Sequence, residues 1–232
     1  MEPTDLLLVL SNLSMLLAIH FSIKNSFYLE GWIFFQSMTV SIIYHALDID
    51  NIKDNKRNIW NAFKFVDFYC AILVMITLSV YTAKVPEKYK GIPHIVLGTF
   101  SIFMMSLGDW DINDELIIAI VCFSMTLLIF LVRRKCPHFK KKNLAKASIF
   151  AIIGVGCFHI TYYDDTLPYW IFHTLWHIFI MLSAFYFMRI HPINEIKDIG
   201  TKAIHRVTSF ESFFKNRPPD INPDEADTKE FL

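Results

Sequence analysis

Seven long apolar segments constrain what this chain can fold into more than any other feature of its sequence. Each approaches or exceeds the length of about 20 residues that a helix needs to cross a bilayer. Because the bilayer interior offers no water to backbone polar groups, such segments cross it as helices. Apolar residues make up 54% of the chain and its mean hydropathy is positive, both above the usual values for a soluble domain. The sequence therefore predicts an all-α, seven-transmembrane helix bundle over residues 1–190, with spans near 4–24, 27–48, 60–83, 92–108, 114–133, 146–163 and 167–189.

The basic residues indicate how this bundle is oriented. If the N-terminus lies outside, all but four of the 22 Lys and Arg residues fall on the cytosolic side, and the exceptions are Lys53, Lys56, Arg57 and Lys64. Cytosolic loops of membrane proteins carry such an excess of positive charge. We therefore expect the N-terminus outside and the C-terminus in the cytosol. Acidic and basic residues are equal in number, and we expect no nucleic-acid partner.

The residues after the last predicted span have a different pattern. Apolar and basic side chains alternate at helical spacing over 191–216, which predicts a basic amphipathic helix on the inner leaflet. A loosely ordered basic tail is the alternative, since Gly200 interrupts the pattern at a cost of about 1 kcal/mol. Residues 217–232 are rich in Pro, Asp and Glu and are predicted to be a disordered acidic tail.

Two histidines stand in the apolar run YWIFHTLWH, residues 169–177. On a helix, His173 and His177 leave the same face one turn apart. They are either capped by groups of neighbouring helices or form a site, and ionisable groups at membrane depth usually mark a site. His45, in VSIIYHALD, is the candidate third member. Three neutral imidazoles around an open fourth position are typical of catalytic zinc, so the sequence predicts a zinc site at His45, His173 and His177.

Two further polar residues are predicted near this site. The predicted topology places the three histidines and Asp67 at one depth, in the outer half of the bilayer. Ser41 lies one turn before His45, where it either binds a ligand or hydrogen-bonds its own helix. A lone carboxylate in the membrane must pair or neutralise, and beside a metal Asp67 could orient water as a general base. A salt bridge to Lys64 or Arg57 is the alternative for Asp67.

A polar stretch at the end of the predicted sixth span points to the same side of the membrane. His159, Tyr162 and Tyr163 precede two aspartates there. These residues either line an entrance to the site or form an ordinary aromatic belt at the membrane interface.

Taken in order, these features resemble the CREST superfamily, which contains alkaline ceramidases, adiponectin receptors and myomaker-like proteins. The shared pattern is seven helices, Ser-x-x-x-His near the outer end of the second, an acidic residue in the third, and His-x-x-x-His in the seventh. The stretches FYLEGWIFF, HALD, VDFY and CFHITYYDDTLPYWIFHTLWH are most similar to the myomaker-like proteins of the transmembrane-protein-8 group. The resemblance covers about residues 25–190.

The resemblance implies a zinc ion held by His45, His173 and His177, with Ser41 and Asp67 around it. In the ceramidases such a constellation hydrolyses a lipid amide, and larger relatives in the transmembrane-protein-8 group, one of them a phospholipase on GPI anchors, carry a big ectodomain. In the myomaker-like proteins the scaffold promotes fusion of plasma membranes between muscle precursor cells. No ectodomain precedes the seven segments here, which favours the latter group.

We therefore expect a multi-pass plasma-membrane protein that promotes cell–cell (myoblast) fusion. The partners implied are membrane lipids, a second copy in a homodimer and a small fusion-partner membrane protein. A zinc-dependent lipid amidase or phospholipase, with Asp67 and Ser41 as its catalytic residues, is the alternative. The resemblance implies a lipidated cysteine cluster at the end of the sequence, where PDEADTKEFL stands instead. This puts C-terminal palmitoylation in doubt and leaves Cys136 as a candidate for lipidation.

Overall fold

The computed structural model describes most of the predicted bundle. All described residues belong to one compact unit, Met1–Ile193. The second unit, Asn194–Leu232, lies outside the described residues, and so do the two predicted tail segments apart from positions 191 and 192. Most of the predicted span 114–133, together with Cys136, also lies outside them. The described residues are 3–48, 57–107, 120–122, 124, 126–127, 131, 138–163 and 167–192.

Every regular element within these ranges is helical. A 3₁₀ turn, Asn12–Met15, separates the first two helices, and the described residues between 120 and 131 are helical as well. The helices are α1 (Pro3–Ser11), α2 (Leu16–Lys24), α3 (Tyr28–Asp48), α4 (Arg57–Thr82), α5 (Glu87–Ser106), α6 (Lys141–Tyr163) and α7 (Tyr169–Phe187).

Within the described ranges, four stretches of helix are long and apolar enough to cross a membrane. They are Leu6–Lys24, which joins α1 and α2, then Arg57–Thr82, Lys141–Thr161 and Tyr169–Phe187. The prediction of an all-helical protein with several membrane-spanning helices is confirmed at this level. The number of seven spans and their orientation stay predictions.

Two helices begin five residues before the predicted spans, and in both cases lysines explain the difference. In α5, Lys90 is only 4% exposed because it forms an ion pair with Glu30 of α3, which is 2% exposed, and a second one with Glu87 at 2.6 Å. In α6, the exposed Lys141 begins the helix. A lysine at a helix end keeps its ammonium group in water while its methylene stem covers apolar surface. The apolar segments of the sequence are therefore shorter than the helices α5 and α6 that contain them.

Close packing of α6 on α7 sets the position of the histidine-bearing helix. A Cβ atom on Gly154 would lie 3.2 Å from the backbone nitrogen of Ile180, so this glycine permits the close approach. The Ser183 hydroxyl of α7 donates to the Ala147 carbonyl of α6 at 2.9 Å. The other face of α6 exposes apolar side chains such as Ile152, which is 71% exposed, as expected of a surface that meets lipid.

The far end of α7 is fixed by hydrogen bonds to α4. The Tyr81 hydroxyl donates to the Met188 carbonyl at 2.7 Å, and His191 Nε2 lies 3.2 Å from the Thr82 carbonyl oxygen. Burial and then the nearby Lys84 ammonium lower the pKa of His191 to about 4, so the ring is neutral at pH 7. Since α3 and α4 are antiparallel neighbours, the last turns of α3, the first half of α4 and the start of α7 meet at the opposite end.

Candidate metal centre

Three histidines meet at that opposite end. His45 lies in the last turn of α3, while His173 and His177 occupy successive turns of α7 and their rings contact that of His45. The Nε2 atoms of His177 and His45 are 3.0 Å apart, and one ligand atom from each residue lies within 4.8 Å of the others. The exposed fractions are 2%, 7% and 1% for His45, His173 and His177. The structure thus brings together the three residues that the sequence predicts as metal ligands.

The hydrogen bonding of these rings tests whether a metal fits between them. Both ring nitrogens of His173 and the Nδ1 atoms of His45 and His177 are buried without a hydrogen-bond partner. Each buried unpartnered polar atom costs about 1–3 kcal/mol, and hydroxyl or carbonyl caps from neighbouring helices do not offset this cost at these atoms. Nitrogens that share one tetrahedral zinc at about 2.0–2.1 Å lie about 3.3 Å from each other. The cluster therefore fits a metal ion of this type.

Ser41 and Asp67 meet beside the cluster. Ser41 is 3% exposed, one turn before His45, and its hydroxyl donates a hydrogen bond to the Asp67 carboxylate of α4. Among the described residues no ion pair joins Asp67 to Lys64 or Arg57. The carboxylate is half-buried and is not one of the three ligands that lie within 4.8 Å of one another. Asp67 therefore lies outside the ligand set and is linked, through Ser41, to the helix turn that precedes His45.

Aromatic rings of α7 enclose the two histidines of that helix, a feature that the sequence analysis missed. Tyr169 stacks on His173 with ring centroids 4.8 Å apart and an interplanar angle of 23°. Trp176 packs against both imidazoles, at 4.9 Å from His173 and 4.5 Å from His177. The spacing of four between Tyr169, His173 and His177 was the signal, since residues four apart share a helix face.

A second set of aromatic rings packs beside the histidine cluster, on the side of α3 and α4. Tyr44 lies 4.8 Å from the ring of His45 and 5.8 Å from the ring of Trp60, measured between centroids. The indole Nε1 of Trp60 donates to Asp48 Oδ1 at 2.9 Å and so ties the start of α4 to the end of α3. In the sequence, Tyr44 and Trp60 look like ordinary aromatic residues of a membrane interface, and Asp48 looks like an ordinary acidic residue of a loop.

The predicted entrance is described in part. His159 is exposed on α6, and the side chains of Tyr162 and Tyr163 lie outside the described ones. The ring centroid of the neighbouring Phe158 lies 4.8 Å from that of Trp176. Because Trp176 packs against His173 and His177, this part of α6 lies near the histidine cluster. An entrance at this place stays a prediction.

Comparison with protein families gives one match. The model of a family described as a protein of unknown function, DUF3522, matches residues 4–178. The matched range contains all three histidines, Ser41 and Asp67. Comparison with curated proteins gives no match.

Proposed function

We propose that this chain, which belongs to the DUF3522 family, is a plasma-membrane protein that promotes cell–cell fusion in the manner of the myomaker-like proteins. The observation that carries the proposal is the convergence of the residues on which that resemblance depends. His45 and His177 are 132 positions apart in the sequence, yet their Nε2 atoms are 3.0 Å apart. Ser41 and Asp67, the other two members of the pattern, are hydrogen-bonded beside them.

The proposal includes seven spans with the N-terminus outside. Besides the four stretches that meet the length and composition of a span, α3 and α5 have 21 and 20 residues, enough to cross a bilayer of about 30 Å. The apolar segment 114–133 supplies the seventh span. This count and the distribution of basic residues put the metal centre in the outer half of the bilayer.

The metal we assign to the centre is zinc, which three neutral imidazoles suit. When bound, zinc supplies a cross-link between α3 and α7. The Ser41–Asp67 hydrogen bond joins α3 to α4 at the same depth, and the Trp60–Asp48 hydrogen bond repeats this connection nearer the end of the bundle. These contacts make the outer end of the bundle a rigid surface, and membrane lipids, a second copy of the chain and a small fusion-partner membrane protein are its proposed partners.

One observation favours lipid hydrolysis as a second candidate function. The carboxylate of Asp67 lies outside the ligand set and is oriented by the Ser41 hydroxyl. A general base needs such a position, within reach of a water molecule but free of the metal. On this reading Asp67 takes the proton from water, and the substrate is an amide or ester of a membrane lipid.

Cell fusion measured together with zinc content tests the proposal. Non-fusing cells that express the protein are mixed with differently labelled fusogenic cells, and purified protein is analysed for zinc. We expect wild-type protein to mix cell contents and to carry about one zinc per chain. His173→Ala should lower both the zinc content and the cell fusion to background, because it removes one of the three proposed ligands.

His20→Ala is the matched control. His20 is an exposed histidine of α2, and the same substitution there should leave zinc and fusion unchanged. If both His45→Ala and His177→Ala still contained about one zinc per chain, the assignment of zinc to this cluster would be wrong. Wild-type protein that reaches the cell surface with zinc but fuses no cells would contradict the fusion proposal.

A further inference from the structure

Three aromatic side chains lie between the three-histidine cluster and the adjacent end of the bundle. We call Tyr44, Trp60 and Tyr169 the aromatic rim. Tyr169 is 45% exposed, Trp60 is half-buried and Tyr44 is 9% exposed, so the rim leads from the surface of the protein inward. None of the three rings is required for holding a metal.

The rim is continuous with the histidine cluster. Tyr44 contacts Trp60 on one side and His45 on the other, at 5.8 and 4.8 Å between ring centroids. Tyr169 stacks on His173 at 4.8 Å, and His173 in turn lies 5.0 Å from His45. A molecule that approached the cluster from this end of the bundle would therefore lie against the rim.

A carboxylate lies beside these rings. Asp48 interacts electrostatically with both tyrosines of the rim. Its Oδ1 atom accepts a hydrogen bond from the indole of Trp60 at 2.9 Å, which places the carboxylate at the edge of that ring. Its negative charge attracts a cation to the rim.

Trp60 already has a cation near its ring. The ammonium nitrogen of Lys64 lies 5.4 Å from the centroid of Trp60, within the distance at which a cation and an aromatic face attract each other. Lys64 is exposed, so its ammonium can leave for solvent, and a ligand cation that displaces it would meet the same aromatic face.

We propose that the aromatic rim binds the quaternary ammonium of a choline head group on a membrane lipid. The proposal rests on the function proposed above, in which membrane lipids are partners of the outer end of the bundle. A quaternary ammonium has no N–H group, so it needs aromatic faces and nearby negative charge but no free acceptor oxygen, which are the features of this site. The primary ammonium of ethanolamine holds water through its N–H groups and costs more to desolvate against aromatic faces, and a glycerol head group has no cation.

Binding of short-chain lipids to the full-length protein tests the proposal. The zinc-loaded protein is purified in a maltoside detergent, and dihexanoyl lipids with choline, ethanolamine and glycerol head groups are titrated in turn by calorimetry. Wild-type protein should bind the choline lipid about tenfold more tightly than the glycerol lipid, the ratio that corresponds to a partly desolvated cation–aromatic contact. The affinity for the ethanolamine lipid should lie between these two values.

Two substitutions at Trp60 separate the ring from its packing role. Trp60→Leu should remove most of the preference for choline, while Trp60→Phe, which keeps an aromatic face, should retain most of it. Trp32→Leu is the matched control, because Trp32 is a 56% exposed tryptophan near the other end of α3. It should leave all three affinities unchanged.

The outcomes distinguish this inference from the proposed function. Equal affinity for choline and glycerol lipids in zinc-loaded, fusion-competent protein would overturn the role of the rim alone. If Trp60→Leu lowered the affinity for all three lipids equally, this would overturn the inference too, because the ring would then only support the packing of the site. A clear choline preference in protein that neither holds zinc nor fuses cells would support the rim and contradict the proposed function.

Discussion

At the scale of single residues, the Ser41–Asp67 hydrogen bond separates two roles for the metal. A zinc ion that only links α3 to α7 requires the three histidines but no base. A zinc ion that takes part in hydrolysis requires a carboxylate near it, and Asp67, hydrogen-bonded to Ser41 one turn from His45, is the candidate. Substituting a ligand histidine damages both roles, whereas substituting Asp67 affects them differently.

We expect Asp67→Asn to retain zinc and most of the fusion activity. The amide oxygen of Asn still accepts the Ser41 hydrogen bond, and the neutral amide avoids the cost of a buried charge, so the free energy of unfolding should stay within about 1 kcal/mol of wild type. The measurement is cell fusion per unit of surface-expressed, zinc-loaded protein, compared with wild type. Fusion at background with normal zinc content and an unchanged thermal midpoint would show that the carboxylate is a base, and lipid hydrolysis would be the better account.

Sequence could predict the three-histidine cluster and the two polar residues beside it, but not the aromatic rings around it. His173 and His177 stand out because they interrupt an apolar run at helical spacing, and His45 follows from its depth once the orientation is set. Tyr44 and Tyr169 have no such signal, since aromatic residues are common at membrane interfaces for reasons unrelated to a site. Their placement depends on how α3 and α7 rotate against each other, and a single sequence does not encode that rotation in any local pattern.

At the scale of helices, the contact between α6 and α7 gives a prediction that does not depend on the metal. Gly154→Leu should lower the free energy of unfolding by about 1–3 kcal/mol, because the new side chain must displace α7 at Ile180. The thermal midpoint of purified protein, followed by tryptophan fluorescence, should fall by several degrees. A midpoint within one degree of wild type would show that α6 and α7 are not packed closely at this position.

Gly156 provides the control for that experiment. No atom lies within 4 Å of the Cβ that a side chain would add at this position, two residues along the same helix. Gly156→Leu should therefore keep or raise the midpoint, since leucine favours a helix by about 0.5–1 kcal/mol relative to glycine.

The positions of the described helices were predictable to within five residues, and the deviations have local causes. The first predicted span, 4–24, contains a 3₁₀ turn that its apolar pattern did not reveal. The side chains of Ser11 and Asn12 both donate to the Leu8 carbonyl, at 2.7 and 3.1 Å, and compete there with the helical backbone. The start of α5 was missed because Lys90 is buried, which requires Glu30 from a helix 60 positions earlier.

At the scale of the whole molecule, the two ends of the bundle use different chemistry to hold the same helices. At one end, α3 meets α7 through His45 and His177. Near the other, α3 meets α5 through the ion pair of Glu30 and Lys90, both nearly fully buried. Such a pair is costly to break from one side, because the remaining charge stays buried. Anchoring α3 at both ends fixes the register that brings its last turn to the histidines of α7.

The orientation of this molecule in the membrane is the last prediction. All but four of the 22 basic residues fall on the side where we place the C-terminus, and the three-histidine cluster belongs to the opposite end of the bundle. An epitope tag after Leu232 should bind antibody only in permeabilised cells, whereas one before Met1 should bind antibody in intact cells. Antibody to a cytosolic protein, applied to the same cells, controls for membrane integrity. Labelling of the C-terminal tag in intact cells would reverse the orientation and place the metal centre and the aromatic rim in the cytosolic half of the bilayer, where neither could act on the outer surface of a neighbouring cell.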